Sequence, residues 1–304
     1  MTPGASPRLA QGTWISGKWT RHRWRVRQCL GEGANGTVYS VVRDDGLIGA
    51  MKVCEGSAQV AFEWSLLERV KGAAGSPFPV PQTIDDSDDP RASYFYVMER
   101  VGGSPLNGVW SQLSLRDQKK VFYDIVRSLE SVHRTGHAFC DVKPQNILVD
   151  TSRGLQVRFV DVGGVTPFGR AVRQFTPTSD PAYWGFAERR ASCTYDVAAI
   201  ALTILLLENA VPKNLAAWPM QKRKEWMKRL VDNVAEGSWR ATYHKALSGA
   251  YPDAGSFAED ILRLSDGTRV KGAKRDWTAK LMWASLASAC FSTAWAWALF
   301  FHVV

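Results

Sequence analysis

Apolar positions change their period along this chain. Around Trp24–Val53 they alternate with polar ones in two or three short runs, broken by a glycine cluster and by Asp44-Asp45-Gly46. That pattern predicts an antiparallel sheet with a hairpin turn. Residues 58–71 (AQVAFEWSLLERVK) and 114–134 (SLRDQKKVFYDIVRSLESVHR) instead carry apolar side chains at three- and four-residue spacing, which predicts two helices, the second capped by Ser114. After about residue 190 the strand signals stop. The run TYDVAAIALTILLL is nearly all apolar yet too short to cross a bilayer, so it is expected as a buried central helix. Nothing repeats at the period of a solenoid or propeller. The expected fold class is therefore α+β, a β-rich lobe followed by a mostly helical one.

The last 24 residues, Leu281–Val304, read LMWASLASACFSTAWAWALFFHVV and contain no Asp, Glu, Lys or Arg. At about 1.5 Å per residue a helix of this length crosses a hydrocarbon core of roughly 30 Å. Apolar residues surround it on all sides, unlike the one-sided stripe of a surface helix. Lys271, Lys274, Arg275 and Lys280 precede it and no charge follows, so the positive-inside bias predicts a single C-terminal span in the cell membrane with the main body in the cytoplasm. The N-terminal residues lack the layout of a secretory signal.

The 304 residues are 45% hydrophobic and 22% charged, which excludes wholesale disorder and a disulfide miniprotein. A net charge of +9 favours anionic partners, but its placement is uneven. Residues 1–27, 213–229 and 266–280 together carry +14, leaving −5 for the remainder. The excess base therefore belongs to an arm, a helix and a tail, and a uniformly basic nucleic-acid coat is excluded. The five cysteines are scattered without C-x-x-C spacing, as suits a reducing compartment and not a zinc site.

Gly31, Gly33 and Gly36 form G-x-G-x-x-G ahead of the strand-like TVYSVV. A dinucleotide site would need these glycines to open a helix. A glycine loop between two strands instead lets backbone N–H groups approach phosphate oxygens. In Ala50-Met51-Lys52-Val53 a single lysine sits on an apolar strand, where an unpaired ammonium is costly. Phosphates can answer it on one side and a carboxylate of the next helix on the other. Glu63 is preferred to Glu68, because its helix face also carries Val60, Leu66 and Leu67. Further on, Asp141, Lys143 and Asn146 fall in D-x-K-P-x-N and Asp161 in D-x-G.

With these motifs the chain resembles the eukaryotic-like (Hanks-type) protein kinase family from about residue 24 to 265. The resemblance implies a two-lobed kinase fold, ATP and Mg2+ as cofactors, and protein serine or threonine hydroxyls as acceptors. It implies that Asp141 orients and deprotonates the acceptor, that Lys143 steadies the γ-phosphate, and that Asn146 and Asp161 hold magnesium. Gly31, Gly33, Gly36, Val38, Ala50, Lys52 and Glu63 make up its nucleotide-binding set, with Glu99 and Val101 presenting hinge backbone groups beside a gatekeeper, Met98. Tyr183–Glu188 (YWGFAE) stands at the A-P-E element, and Asp196 is the residue that braces the catalytic loop. Domains follow as a basic N-terminal arm (1–23), a kinase domain (24–265, lobes 24–103 and 104–265), a basic linker (266–280) and the span (281–304).

Two departures stand out. The H-R-D element is Phe139-Cys140-Asp141, which removes the arginine that reads a phosphorylated activation loop, and D-F-G is Asp161-Val162-Gly163, for which Phe139 is expected to compensate as an apolar spine residue. The finer pattern in LGEGANGTVY, FCDVKP and DVGG is similar to the YabT-type membrane-anchored kinases of endospore-forming bacteria, implying a sporulation-linked role. In such proteins the basic linker binds DNA or anionic lipid, or only sets topology. The competing reading is a nucleotide-binding pseudokinase serving as a membrane-tethered module. Small-molecule phosphotransfer is a minor alternative.

Overall fold

The computed structural model describes residues 8–33, 36–71, 75–152, 154–173 and 176–266. The chain opens with strands β1 (Trp14–Ser16), β2 (Arg23–Gly33), β3 (Gly36–Arg43) and β4 (Ile48–Cys54), then helix α1 (Ser57–Lys71) and strands β5 (Pro81–Asp86) and β6 (Tyr94–Glu99). These strands form one antiparallel sheet in the order β1-β2-β3-β4-β6-β5. Gly46, at φ 90°, makes the β3–β4 turn, where Arg43 N–H donates to the Leu47 carbonyl at 2.8 Å.

Strand alternation divides the side chains between two cores. Met51, Phe95 and Val97 join Trp24, Val26 and Val41 on the outer face, while Ala50, Tyr96 and Met98 face α1 and the rest of the protein. The segment expected as a basic arm packs on this sheet from residue 8 onward and supplies its edge strand β1. Leu9 and Ile15 are buried in the outer core, β1 pairs with β2, and Lys18 N–H reaches the Asp86 carbonyl at 2.8 Å. Buried Asp85 accepts hydrogen bonds from the Trp19 and Thr20 amides, both at 3.0 Å. One short segment thus ties together the two edges of the sheet, because its few apolar residues fill a face that would otherwise meet water.

The second lobe begins at β7 (Ser104–Pro105) and α2 (Leu106–Val109) and is built on α3 (Leu115–His133). Ser114 caps α3 by accepting from the Asp117 amide at 3.1 Å, as the sequence predicts. Its buried stripe, Val121, Phe122, Ile125, Val126, Leu129 and Val132, follows the helical period. Short strands β8 (His137–Ala138), β9 (Ile147–Asp150), β10 (Gln156–Phe159) and β11 (Thr166–Pro167) carry the loops of the site. The apolar run near residue 195 becomes the buried helix α4 (Cys193–Glu208), followed by α5 (Met220–Asp232), α6 (Gly237–Leu247) and α7 (Ala254–Arg263); α6 and α7 pack against α4, and α5 packs on α6. No helix among the described residues is long and apolar enough to cross a membrane. The span expected at 281–304, and all of the basic linker but its first residue, lie outside the described residues.

Candidate active site

Lys52 lies on the inner face of β4 and is 3% exposed. Its Nζ is 2.7 Å from Glu63 Oε2 and 3.1 Å from Asp161 Oδ1. Glu63 reaches it because the face of α1 that carries Val60, Leu66 and Leu67 is the buried one; Glu68 instead pairs on the surface with Lys71. Burial works against the charge of Lys52, but the carboxylates of Asp161 and Glu63 overcome it and raise its pKa. Tyr96, directly opposite Lys52 in the β4–β6 register, donates its hydroxyl to Glu63 Oε2 at 2.8 Å. Sequence reading gave Tyr96 no role, since only the register reveals it.

Gly31 and Gly33 end β2 and Gly36 starts β3, so the glycine loop does join two strands. The three glycines are not equivalent. A Cβ on Gly31 or Gly33 would meet nothing, whereas Gly36, at φ 117°, would place one 2.1 Å from the Val53 carbonyl oxygen. Gly36 is therefore required by the backbone, and the other two only leave the loop's surface open. Val38 pairs with Lys52, and Ala50 with Met98, so these apolar side chains form one patch beside the lysine.

Glu99 and Val101 follow that patch at the end of β6. The Glu99 N–H donates to the Val80 carbonyl at 2.7 Å. Its side chain is clasped by Arg158 of β10 at 3.0 and 2.7 Å, which holds its pKa below the usual carboxylate range. Arg158 also donates to the carbonyls of Pro77 and Phe78, both at 3.0 Å. It links the hinge to the second lobe, another role that sequence reading missed.

The loop between β8 and β9 carries Asp141, Lys143 and Asn146. Its shape is fixed from α4: Asp196 accepts from the amides of Phe139 at 2.6 Å and Cys140 at 2.8 Å, and Thr203 donates to the Val142 carbonyl at 2.9 Å. Cys140 takes up φ 60°, a left-handed conformation that these bonds sustain. Phe139 stacks on Phe159 at 4.7 Å and meets Phe78 edge-on at 5.4 Å, filling space next to buried Val162. Asp141 Oδ2 accepts from Lys143 Nζ at 2.7 Å and from Asn146 Nδ2 at 2.8 Å. Burial still dominates and raises the pKa of Asp141. Gly164 packs so closely that a Cβ would lie 2.6 Å from that of Asp141.

Asn146 and Asp161 leave the same end of the β9–β10 hairpin. Ile147 pairs with Phe159, and the Asn146 carbonyl accepts from Val160 N–H at 2.9 Å. Asp161, at φ 71°, takes Lys52 and the Gly163 amide on Oδ1. Burial opposes its charge, but Lys52 and that amide keep its pKa low. Asn146 must turn its amide nitrogen toward Asp141, whose oxygens can only accept. The other oxygen of Asp161 and the amide oxygen of Asn146 then remain as hard ligands, few enough for a magnesium ion that keeps water and phosphate in its shell. Among the described residues no cluster of three or more His, Cys, Asp or Glu could hold a metal by itself.

His133, at the end of α3, bonds Asp196 Oδ2 at 2.9 Å behind the loop. Burial disfavours its charged form, yet Asp196 and Cys193 outweigh that and push its pKa up to about 9 from 6.5. Because the folded value is the higher, the stabilisation is complete below about pH 6.5 and disappears as the pH rises through about 9. Replacing His133 with asparagine is expected to cost on the order of 2–3 kcal/mol at pH 6 and much less at pH 10. Urea unfolding of both proteins at the two pH values checks this; an equal gap at both contradicts the charged pair.

The segment ahead of α4 is anchored through a residue without a predicted role. Buried Asp180 accepts from the Tyr195 hydroxyl at 2.8 Å and from Arg189 Nε at 3.0 Å, while Glu188 is exposed.

Comparison with known proteins settles the family. Residues 24–264 match the protein kinase domain. The chain belongs to the protein kinase family. It is 31% identical over 258 residues to the serine/threonine-protein kinase YabT of Bacillus subtilis (strain 168), covering 84% of this chain and 75% of that protein. Similarity to the serine/threonine-protein kinase PknA of Mycobacterium tuberculosis is 31% over 174 residues, covering 52% of this chain and 37% of that one. In fold it resembles vaccinia related kinase 3, with a TM-score of 0.61 at 15% identity over 86% of this chain and 94% of that one. Together these matches make it a protein serine/threonine kinase. Kinases of this family use ATP and Mg2+.

Proposed function

We propose that this kinase transfers the γ-phosphoryl group of ATP to protein serine and threonine hydroxyls while held at the membrane by residues 281–304. The observation that carries the reading is the convergence of Lys52, Glu63 and Asp161 with the Asp141-Lys143-Asn146 cluster. Lys52, fixed between two carboxylates, meets the non-transferred phosphates. Lys143 offsets charge on the group in flight. Asp141 accepts the hydroxyl proton, its raised pKa bringing its basicity closer to neutral pH. Asn146 and Asp161 would hold magnesium, which neutralises charge on the phosphate oxygens when bound. Gly31, Gly33 and Gly36 cover the phosphates. Val38 and Ala50 flank the base, and the Glu99 carbonyl and Val101 backbone bond it. A pseudokinase reading is disfavoured because every one of these side chains is present.

Label transfer from γ-labelled ATP to a generic protein tests the catalytic part. For the anchor, deletion of the chain after about residue 276 should move the kinase from the membrane pellet to the soluble fraction, since only the apolar stretch answers the length criterion for a span. Unchanged fractionation would refute it. The finer motif similarity to kinases of spore formers supports action during sporulation, which phosphoprotein profiles of sporulating cells with and without an intact Asp141 would check.

A further inference from the structure

Helix α5 contributes a surface that phosphoryl transfer does not use. Lys222, Lys224, Lys228 and Arg229 have no carboxylate within ion-pair distance among the described residues. The two acids of the same helix are already bonded, Glu225 by Gln221 at 2.7 Å and Asp232 by His244 at 2.9 Å. Lys224 and Lys228, one turn apart, lie on one helix face with Val231. Together with Phe186, His244 and Leu247 they line a cleft of about 270 Å³. Its floor is apolar and its rim cationic: Val231 and Leu247 are buried, Lys228 is exposed, and Lys224 Nζ stands 5.6 Å above the Phe186 ring. Glu188 lines an adjoining cleft beside Arg190.

The cleft connects to the catalytic loop through the segment that holds Phe186. Ala187, next to Phe186, packs in one cluster with Ala138 and Cys140, and Cys140 immediately precedes Asp141. Arg223 holds this arrangement by donating to the Tyr183 carbonyl at 3.0 Å and covering the Tyr183 ring at 3.8 Å. A polypeptide with its hydroxyl at Asp141 can therefore extend over residues 183–187 onto α5.

We propose that the α5 cleft selects protein substrates by binding an acidic segment that carries an apolar side chain. The apolar side chain enters between Phe186, Val231 and Leu247, and flanking carboxylates meet Lys224 and Lys228. A nucleic acid fits less well: the cleft offers an apolar floor in place of exposed rings for stacking, and its cations sit as a pair and not as a track along a backbone. This inference deepens the kinase reading and rests on it only for the role of selection, because binding itself needs no transfer.

The test uses the full chain and a fluorescein-labelled peptide containing a serine and one leucine flanked by glutamates. A copy with lysines for glutamates, and duplex DNA as competitor, serve as controls. Anisotropy should show the acidic peptide binding more tightly than the lysine copy. Lys224→Glu with Lys228→Glu should weaken the acidic peptide on the order of tenfold and strengthen its lysine copy. Lys224→Gln with Lys228→Gln, which adds no repulsion, should give a smaller loss in the same direction. In label transfer the loss should appear in KM more than in kcat. Equal binding of the two peptides, unaltered affinity in both double variants, or preferential displacement by DNA overturns the proposal. Binding without any transfer would sink the kinase reading and leave the cleft standing; equal transfer to both peptides does the reverse.

Discussion

Replacing Lys52 with alanine should lower phosphoryl transfer by at least about 100-fold and destabilise the protein at the same time. Both effects have one cause. The ammonium lies between Glu63 and Asp161 at 2.7 and 3.1 Å, in a site where Lys52 and Glu63 are withdrawn from bulk water and Asp161 is partly so. Its removal leaves two carboxylates facing each other without a cation, a situation that typically costs about 3–5 kcal/mol for a buried pair. Asp161 loses the principal influence that keeps its pKa low. Thermal unfolding should fall by on the order of 10 °C for a domain of this size. Glu63 retains its bonds from Tyr96 and Gln59, so α1 stays attached to the sheet, and the variant is expected to fold at room temperature. Unaltered activity in the folded variant would show that the lysine does not meet phosphate.

Replacing Asp141 with asparagine should lower kcat by about 10²–10⁴ and leave nucleotide affinity nearly unchanged. An asparagine carbonyl can still accept from Lys143 and Asn146, so the loop keeps its shape while its proton acceptor is lost. The pH profile gives a second readout. Burial raises the pKa of Asp141, so the base becomes protonated and the rate falls on the acidic side at a higher pH than for an ordinary carboxylate. Residual activity of the asparagine variant should lack that limb. A variant with the same acidic limb as the parent would assign the titration to another group.

How far the sequence carried the reading follows from the range of each interaction. Lys52 and Glu63 could be paired because each lies on an element whose buried face is readable from spacing, and strand and helix periods are local properties. The catalytic loop was readable because Asp141, Lys143 and Asn146 are neighbours in sequence. Tyr96 and Arg158 were not. Tyr96 meets Glu63 only through the β4–β6 register, and Arg158 reaches Glu99 across 59 residues. Such partners depend on turn lengths and on how the two lobes pack, which no window of sequence reports. The expectation of a basic arm over residues 1–23 rests on an excess of basic over acidic residues there, whereas Leu9 and Ile15 place the stretch from residue 8 onward against a core. The same limit applies to α5: its charge is plain in sequence, but the cleft beside those lysines is closed only by α6 and by Phe186.

The most direct measurement is transfer of label from γ-labelled ATP to serine and threonine residues of a protein acceptor, with magnesium present, by the full chain and by its Asp141→Asn variant at matched nucleotide occupancy. Labelling by the parent and at least about 100-fold less by the variant is the predicted result. Equal labelling by the two proteins would contradict a transfer site built around Lys52, Asp141 and Asp161.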